Sequence, residues 1–483
     1  MSGGFRSRTR RAKEQVENEA VHGQAQGPVK RGGATLHAQR AGDIGDSARQ
    51  AAFDAVLRVE TEDAFGNLVL PQILRERKIK GRDAAFATEI AYGTLRSLGV
   101  LDAVIADCSS RRLEDLDPAV LTALRLGTYQ LLFTRVDAHA AVDTSVRLAE
   151  AAGAGKAKGF VNGILRTISR SSLDTWMEKL TPADKIAAVA FRTAHPEWIA
   201  RSFANVLGED ELEAALEADS QRPIVHLVAR PGEMSAEELA LVTGGEEGKY
   251  SPYAVYLPEG GDPGSLEPVR DRMAAVQDEG SQLIARAVAE IPVDDDGGRW
   301  LDLCAGPGGK AALMGSLAAI DGAHVDAVEV SSTRADLIRK STEGMPVTVH
   351  VADGREPGLE QGFDRVLVDA PCSGLGALRR RPEARWRKSE ADIAELNELQ
   401  SALLASAVNL TKSGGVVVYS TCSPDERETR GIVDKQLANG NVDELDVRDV
   451  LPDMGELGLH LSAQMWPHRH GTDAMFVAAL RKR

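Results

Sequence analysis

From residue 277 to the C-terminus the chain repeats one pattern, and that pattern leaves few folds open. Short apolar, β-rich runs at Trp300 to Cys304, Val325 to Val330, Val347 to Val351, Arg365 to Asp369, Val416 to Tyr419 and Met475 to Leu480 alternate with helical stretches. The helical stretches include Ala311 to Leu317, Ala335 to Arg339 and Asp392 to Leu410. Strands and helices alternating at this spacing imply a parallel, doubly wound sheet. Open sheets of this kind place their chemistry at the carboxyl ends of the strands. The residues just past each run are therefore the first candidates.

The segment before this region reads differently. Residues 1–45 are rich in Gly, Arg, Gln and Ala, with few bulky apolar side chains, and are expected to be a disordered basic tail able to fold over RNA. From 46 to 172 the pattern is helical. Ala52, Phe53, Val56 and Leu57 form an apolar face after Asp46 or Ser47 as N-cap, and another helix begins beside Pro118. A compact all-α bundle is expected. Residues 173–275 read as a helical connector and a small α/β subdomain, with a strand over Pro223 to Arg230 and a short helix over Ser235 to Thr243. The alternating strand–helix region occupies 276–483.

Length and charge set the remaining bounds. At 483 residues the chain exceeds one core. No apolar run reaches the roughly 18 residues needed to span a membrane, and the N-terminus lacks a signal-peptide core, so a cytoplasmic protein is expected. Cys108, Cys304, Cys372 and Cys422 are too scattered for a disulfide framework, and without a C-x-x-C pair no structural metal is expected. The net charge of −15 hides local basic clusters. Besides the tail, Arg379-Arg380-Arg381 with Arg385, Arg387 and Lys388 forms a candidate phosphate-binding patch, the alternative being a solvated loop.

The strand ends carry the chemistry. The first strand runs into Cys304-Ala305-Gly306-Pro307-Gly308-Gly309-Lys310, a glycine turn that lets a ligand approach the backbone and the helix N-terminus. It is not a G-x-x-x-x-G-K-[ST] phosphate loop, because the spacing fails and Ala311 follows Lys310. Glu329 ends the second strand, placed to accept hydrogen bonds from ribose hydroxyls, and Asp353 ends the third. Together they describe a nucleoside-containing cofactor; a tight turn with two helix-capping acids is the alternative. The fourth strand ends Asp369-Ala370-Pro371-Cys372-Ser373-Gly374, and the fifth Thr421-Cys422-Ser423. Cys422 is either a nucleophile or, as most free cysteines are, a small core residue. Two cysteines on adjacent strand ends suggest attack on an electrophilic carbon with a second group assisting.

Two resemblances join these pieces. Ala48-Arg49-Gln50-Ala51-Ala52, Leu124-Arg125-Leu126-Gly127-Thr128-Tyr129-Gln130-Leu131-Leu132 and Phe160-Val161-Asn162-Gly163-Ile164-Leu165-Arg166 resemble the NusB-type helical domain, which implies contact with RNA or a ribosomal partner. Gln277-Asp278-Glu279-Gly280-Ser281-Gln282, Leu303 to Lys310, Asp369 to Gly374 and Tyr419 to Ser423 resemble the RNA cytosine-C5 methyltransferases. With a helical domain ahead, the similarity is in particular to the Sun family acting on 16S rRNA. The resemblance implies a Rossmann-like domain with a mostly parallel seven-stranded sheet. It also implies S-adenosyl-L-methionine bound by 304–310, Glu329, Asp353 and Asp369, with Cys422 as nucleophile and Cys372 assisting release. Gly306 and Ala311 depart from the family's common Ala and Thr.

The chemistry agrees with the implied roles. Cytosine C5 needs thiolate addition at C6 before it can take a methyl group. A thiol needs an electropositive setting to ionise, for which Lys310 and the Arg379–Arg387 cluster are candidates. Asp369 is placed to hold the cytosine N3/N4 edge. The substrate implied is 16S rRNA or its small-subunit precursor. A tRNA cytosine-C5 methyltransferase and a non-catalytic RNA-binding assembly factor are the competing readings. A DNA enzyme would use the Pro-Cys thiol as nucleophile and carry a Glu-Asn-Val motif, which is absent.

Overall fold

The computed structural model describes residues 46–258 and 261–483. The basic tail expected over 1–45 lies outside the described residues. The described chain forms two compact units. One runs to Arg222 and includes Leu378–Lys388; the other holds Pro223–Ala377 and Ser389–Arg483. The stretch read as a helical connector and a small α/β subdomain, 173–275, is divided between them, its helices up to Ser220 going with the helical unit and its strands with the sheet unit.

The helical unit starts at Ser47–Thr61, where the Asp46 side chain accepts from the Arg49 N–H as the cap predicts. Asp117 caps Pro118–Phe133 in the same way, with Pro118 in the first turn. Residues 119–130 of that helix are all buried, so it is the central rod of the bundle. Arg125 lies inside it, held by Asp102 through two 2.7 Å bonds and by Glu60 at 2.9 Å. Helices Gly66–Glu76 and Leu98–Cys108, not expected from the sequence, complete the packing.

Among the described residues the sheet unit contains twelve strands. β1 (Val225–Ala229), β2 (Glu246–Glu247), β3 (Ala254–Leu257) and β4 (Ala274–Val276) form a small antiparallel sheet in the order β2-β3-β1-β4. The stretch 245–268 supplies β2 and β3. The main sheet contains β5 (Arg299–Asp302), β6 (His324–Glu329), β7 (Val347–Val351), β8 (Phe363–Asp369), β9 (Thr411–Thr421), β10 (Val442–Leu445), β11 (Ala463–Gln464) and β12 (Phe476–Lys482). Its order is β10-β12-β9-β8-β5-β6-β7, with β11 paired to β12. β7, β6, β5, β8 and β9 are parallel, while β12 runs antiparallel to β9 and β10. The Rossmann-like arrangement is thus present, with a short strand, β11, added to the expected seven.

Alternate residues of the parallel strands feed two cores. Trp300, Val416 and Val418 pack with Leu283, Val288 and Leu313 from helices Glu279–Glu290 and Gly309–Asp321. Leu301, Val417 and Tyr419 pack on the other side with Leu403, Leu404 and Val433 from Glu390–Leu410 and Arg430–Ala438. Burial on both faces explains why these strands read as continuous apolar runs. Each fully buried Val or Leu contributes about 1.5–3 kcal/mol. Among the described residues no helix is long and apolar enough to cross a membrane.

Candidate active site

The parallel register sets the site. β8 and β9 pair with Asp369 opposite Ser420, so the chain leaves both strands at the same level. Cys372, three residues past Asp369, and Cys422, just past Thr421, are brought together with their Sγ atoms 3.4 Å apart. The Cys372 loop is pinned on both sides. The Gly376 N–H donates to the Cys422 carbonyl at 2.8 Å, and its own carbonyl accepts from Ala474 N–H at 2.8 Å. A Cβ at Gly376 would fall 2.0 Å from the Ala474 oxygen, so this close approach requires glycine.

Beneath the loop sits a buried carboxylate. Glu428 accepts from the Ser373 N–H at 2.8 Å, from the Ser373 hydroxyl and from Gln400 Nε2 at 3.1 Å. Gln400 also donates to the Pro371 carbonyl at 2.9 Å. Ser373 lies in the stretches compared above, but nothing in the sequence marks Gln400, the eleventh residue of helix Glu390–Leu410, as a support of this loop.

Lys310 and Asp369 form the second pair. Lys310 is the second residue of Gly309–Asp321, where the helix dipole disfavours a cation. The offset is Asp369, whose Oδ2 accepts from Nζ at 2.8 Å while its Oδ1 accepts from Ser420 Oγ at 2.9 Å. Nζ also donates to Ser281 Oγ at 3.3 Å. Burial would lower the Lys310 pKa, but Asp369 outweighs it and the net direction is up. Lys310 therefore stays a cation.

The two thiols are pushed apart in acidity. Hydrogen bonding from Cys372 holds Cys422 below the ordinary thiol range, with Lys310 adding to the effect against burial and Asp369. Cys372 moves well up, through that same bond to Cys422, burial and the charge of Glu428. The two shifts run in opposite directions, so of the pair Cys422 is the more acidic thiol. Cys304 is different: burial, Asp302 and Asp369 push its thiol far up, which makes it a neutral small residue of the turn.

The remaining predicted residues line the neighbouring strand ends. The turn from Cys304 to Lys310 leads into a helix whose N-cap, Gly308, has φ +111° and provides no side-chain cap. Glu329 ends β6, buried, accepting from the Ser331 N–H at 2.9 Å and facing Arg334 Nε at 3.4 Å. Arg334 also donates to the Gly306 carbonyl at 2.6 Å. A Cβ on residue 306 would fall 2.0 Å from Glu329 Oε2, so the departure to glycine is what leaves room for this carboxylate. Asp353, past β7, is paired with Arg355 and held below the usual carboxylate range by that bond. An uncapped helix N-terminus beside a glycine turn, with a buried acceptor on the next strand, fits a nucleoside carrying a charged tail.

The cluster at Arg379–Lys388 is divided in exposure, with Arg379 and Arg385 buried and Arg381 exposed. Arg385 is fully buried in the helical unit, donating to the Asp219 carbonyl at 2.7 Å beside the Asp219–His195 pair. Arg387 donates to the carbonyls of Val59 and Ala64, and Arg381 lies over the Phe65 ring. The Arg385 guanidinium is taken up by a backbone oxygen and a carboxylate inside the helical unit, so phosphate binding does not fall to it.

The family model described as 16S rRNA methyltransferase RsmB/F matches residues 290–481, and that of the NusB family matches 46–170. A putative methyltransferase of Mycobacterium tuberculosis (strain H37Rv) is 56% identical over 443 residues, covering 90% of this chain and 97% of the relative. The ribosomal RNA small subunit methyltransferase B of Escherichia coli O6:K15:H31 is 33% identical over 391 residues, covering 78% and 87%. Among solved structures, PH0851 superposes with a TM-score of 0.78 at 23% identity, covering 90% of this chain and 99% of that one. NSun6 from Pyrococcus horikoshii with SFG gives 0.53 at 19%, covering 60% and 99%. Both structures share the fold.

Proposed function

The chain belongs to the 16S rRNA methyltransferase RsmB/F family, and from that premise we propose that it methylates C5 of a cytosine in 16S rRNA, in the cytoplasm, with S-adenosyl-L-methionine as donor. The observation that carries the reading is the thiol pair at 3.4 Å, with Cys422 pushed down in pKa and Cys372 pushed up. A methyltransferase acting on a nucleophilic oxygen or nitrogen has no use for a thiolate; a pyrimidine carbon has.

When bound, the cofactor supplies an electrophilic methyl group. The protein's own residues do the rest. The target base leaves its stack to enter the pocket. The Cys422 thiolate forms a bond to C6, and the displaced electron pair makes C5 the nucleophile. Asp369, held by Lys310 and Ser420, accepts from the exocyclic N4 amino group. Once C5 carries the methyl, its proton passes to a water held beside the Cys372 thiol, which carries it to solvent. The electron pair left behind reforms the C5–C6 double bond and expels Cys422 as thiolate. Glu329 and Asp353 receive the ribose and base end of the cofactor, and the 304–310 turn its charged tail.

Bisulfite sequencing of rRNA and tRNA from cells with and without the gene tests this directly. One 16S cytosine losing its protection supports the reading. A change confined to tRNA redirects the substrate, and no change at any cytosine overturns it.

A further inference from the structure

Gln277 sits where β4 has just ended, and its backbone is fixed at both ends. Its N–H donates to the His226 carbonyl at 3.1 Å, and its carbonyl accepts from Gln282 Nε2 at 3.1 Å. The residue is 7% exposed, yet both polar atoms of its carboxamide are buried without a hydrogen-bond partner. Leaving such a group unpaired costs about 1–3 kcal/mol, so its position requires an explanation. The amide faces the start of helix Gly309–Asp321: Nε2 lies 3.7 Å from where a Cβ of Gly309 would stand. That helix has no side-chain cap, so its first N–H groups lack intrahelical acceptors. An orphan amide donor and a cluster of orphan backbone donors thus converge on one spot.

Donors that converge call for an anion. Lys310 does not serve it, because its ammonium is spent on Asp369 and Ser281. We propose that Gln277 is a cofactor-binding residue that, with the N–H groups at the start of helix Gly309–Asp321, holds the carboxylate of the methionyl moiety. The inference rests on the S-adenosylmethionine reading above and goes further, assigning a residue outside the glycine turn and the strand-end acids. The bond orients the cofactor's amino-acid end and so fixes the direction in which the sulfonium faces Cys422.

Calorimetric binding of three ligands to the full-length wild-type protein and to Gln277→Leu and Gln277→Glu tests it. The ligands are S-adenosylhomocysteine, decarboxylated S-adenosylmethionine and methylthioadenosine, which lacks the amino-acid end. Gln277→Leu should weaken S-adenosylhomocysteine about tenfold or more, the loss expected for a hydrogen bond to a charged group. Gln277→Glu should weaken it further by repulsion. Methylthioadenosine and the decarboxylated ligand should change by less than about twofold, on the same scale. Equal loss of all three ligands, or no loss of any, overturns the assignment, and loss for the decarboxylated ligand alone with S-adenosylhomocysteine reassigns the amide to the ammonium and overturns the carboxylate role. Wild-type protein that binds none of the three refutes the cofactor reading itself, an outcome distinct from failure at Gln277.

Discussion

The Sγ atoms of Cys372 and Cys422 lie 3.4 Å apart across the ends of two adjacent parallel strands, with the acidity of Cys422 raised and that of Cys372 reduced. The two thiols thus differ in acidity, the asymmetry that a nucleophile and its release partner need.

Each cysteine should then fail differently. Cys422→Ala removes the group that bonds to C6, so methyl transfer should fall by at least about a thousandfold while cofactor binding survives. Cys372→Ala leaves addition possible and impairs release, so a covalent protein–RNA adduct should accumulate on denaturing gels. An adduct trapped through Cys372 in place of Cys422 would reverse the roles.

The acidity of Cys422 should depend on its neighbours. Its pKa is lowered by the Cys372 thiol and by Lys310, so the thiolate forms below the ordinary range near ~8.5. Cys372→Ala and Lys310→Met each remove a stabilising contact and should move the midpoint upward. Iodoacetamide labelling of Cys422 across pH, read by mass spectrometry, reports it; an unmoved midpoint in both variants would contradict the arrangement.

Asp302 gives the fold a pH signature. It ends β5, fully buried, with one carboxylate oxygen unpartnered. Burial first, then Asp369, raises its pKa to about 7. The folded state therefore binds this proton more tightly than the unfolded chain, and stability falls as pH rises from about 4 to about 7. Asp302→Asn cannot ionise, so its denaturation midpoint, equal to wild type near pH 4, should exceed it above pH 7. Parallel curves across that window would refute the role.

Arg385 should act on stability alone. Removing it leaves Asp219 buried beside a carboxyl-facing His195, so Arg385→Met should destabilise the helical unit by about 3–5 kcal/mol in denaturant titration. The salt dependence of RNA binding should keep its slope, since no phosphate contact is lost. A reduced slope would restore the cluster to the nucleic-acid surface.

What the sequence determined is what is local. A strand that ends in a glycine turn, an Asp-x-x-Cys or a Thr-Cys shows its candidate groups by chain position alone. The fold class follows from strand and helix periodicity, because burial on both faces writes itself as continuous apolar runs. Short strands such as β3 and β10 escaped because four residues carry too little pattern, and charge counting failed at Arg385 because it cannot tell a buried guanidinium from an exposed one. Only tertiary structure decided which partners meet: Cys372 against Cys422 through the β8–β9 register, Lys310 against Asp369 across 59 residues, and Gln277 left without a partner beside the helix it faces. Hydrogen bonds and ion pairs are short-ranged in space and indifferent to distance along the chain, so a residue's role passes out of the sequence wherever its partner is far away in it.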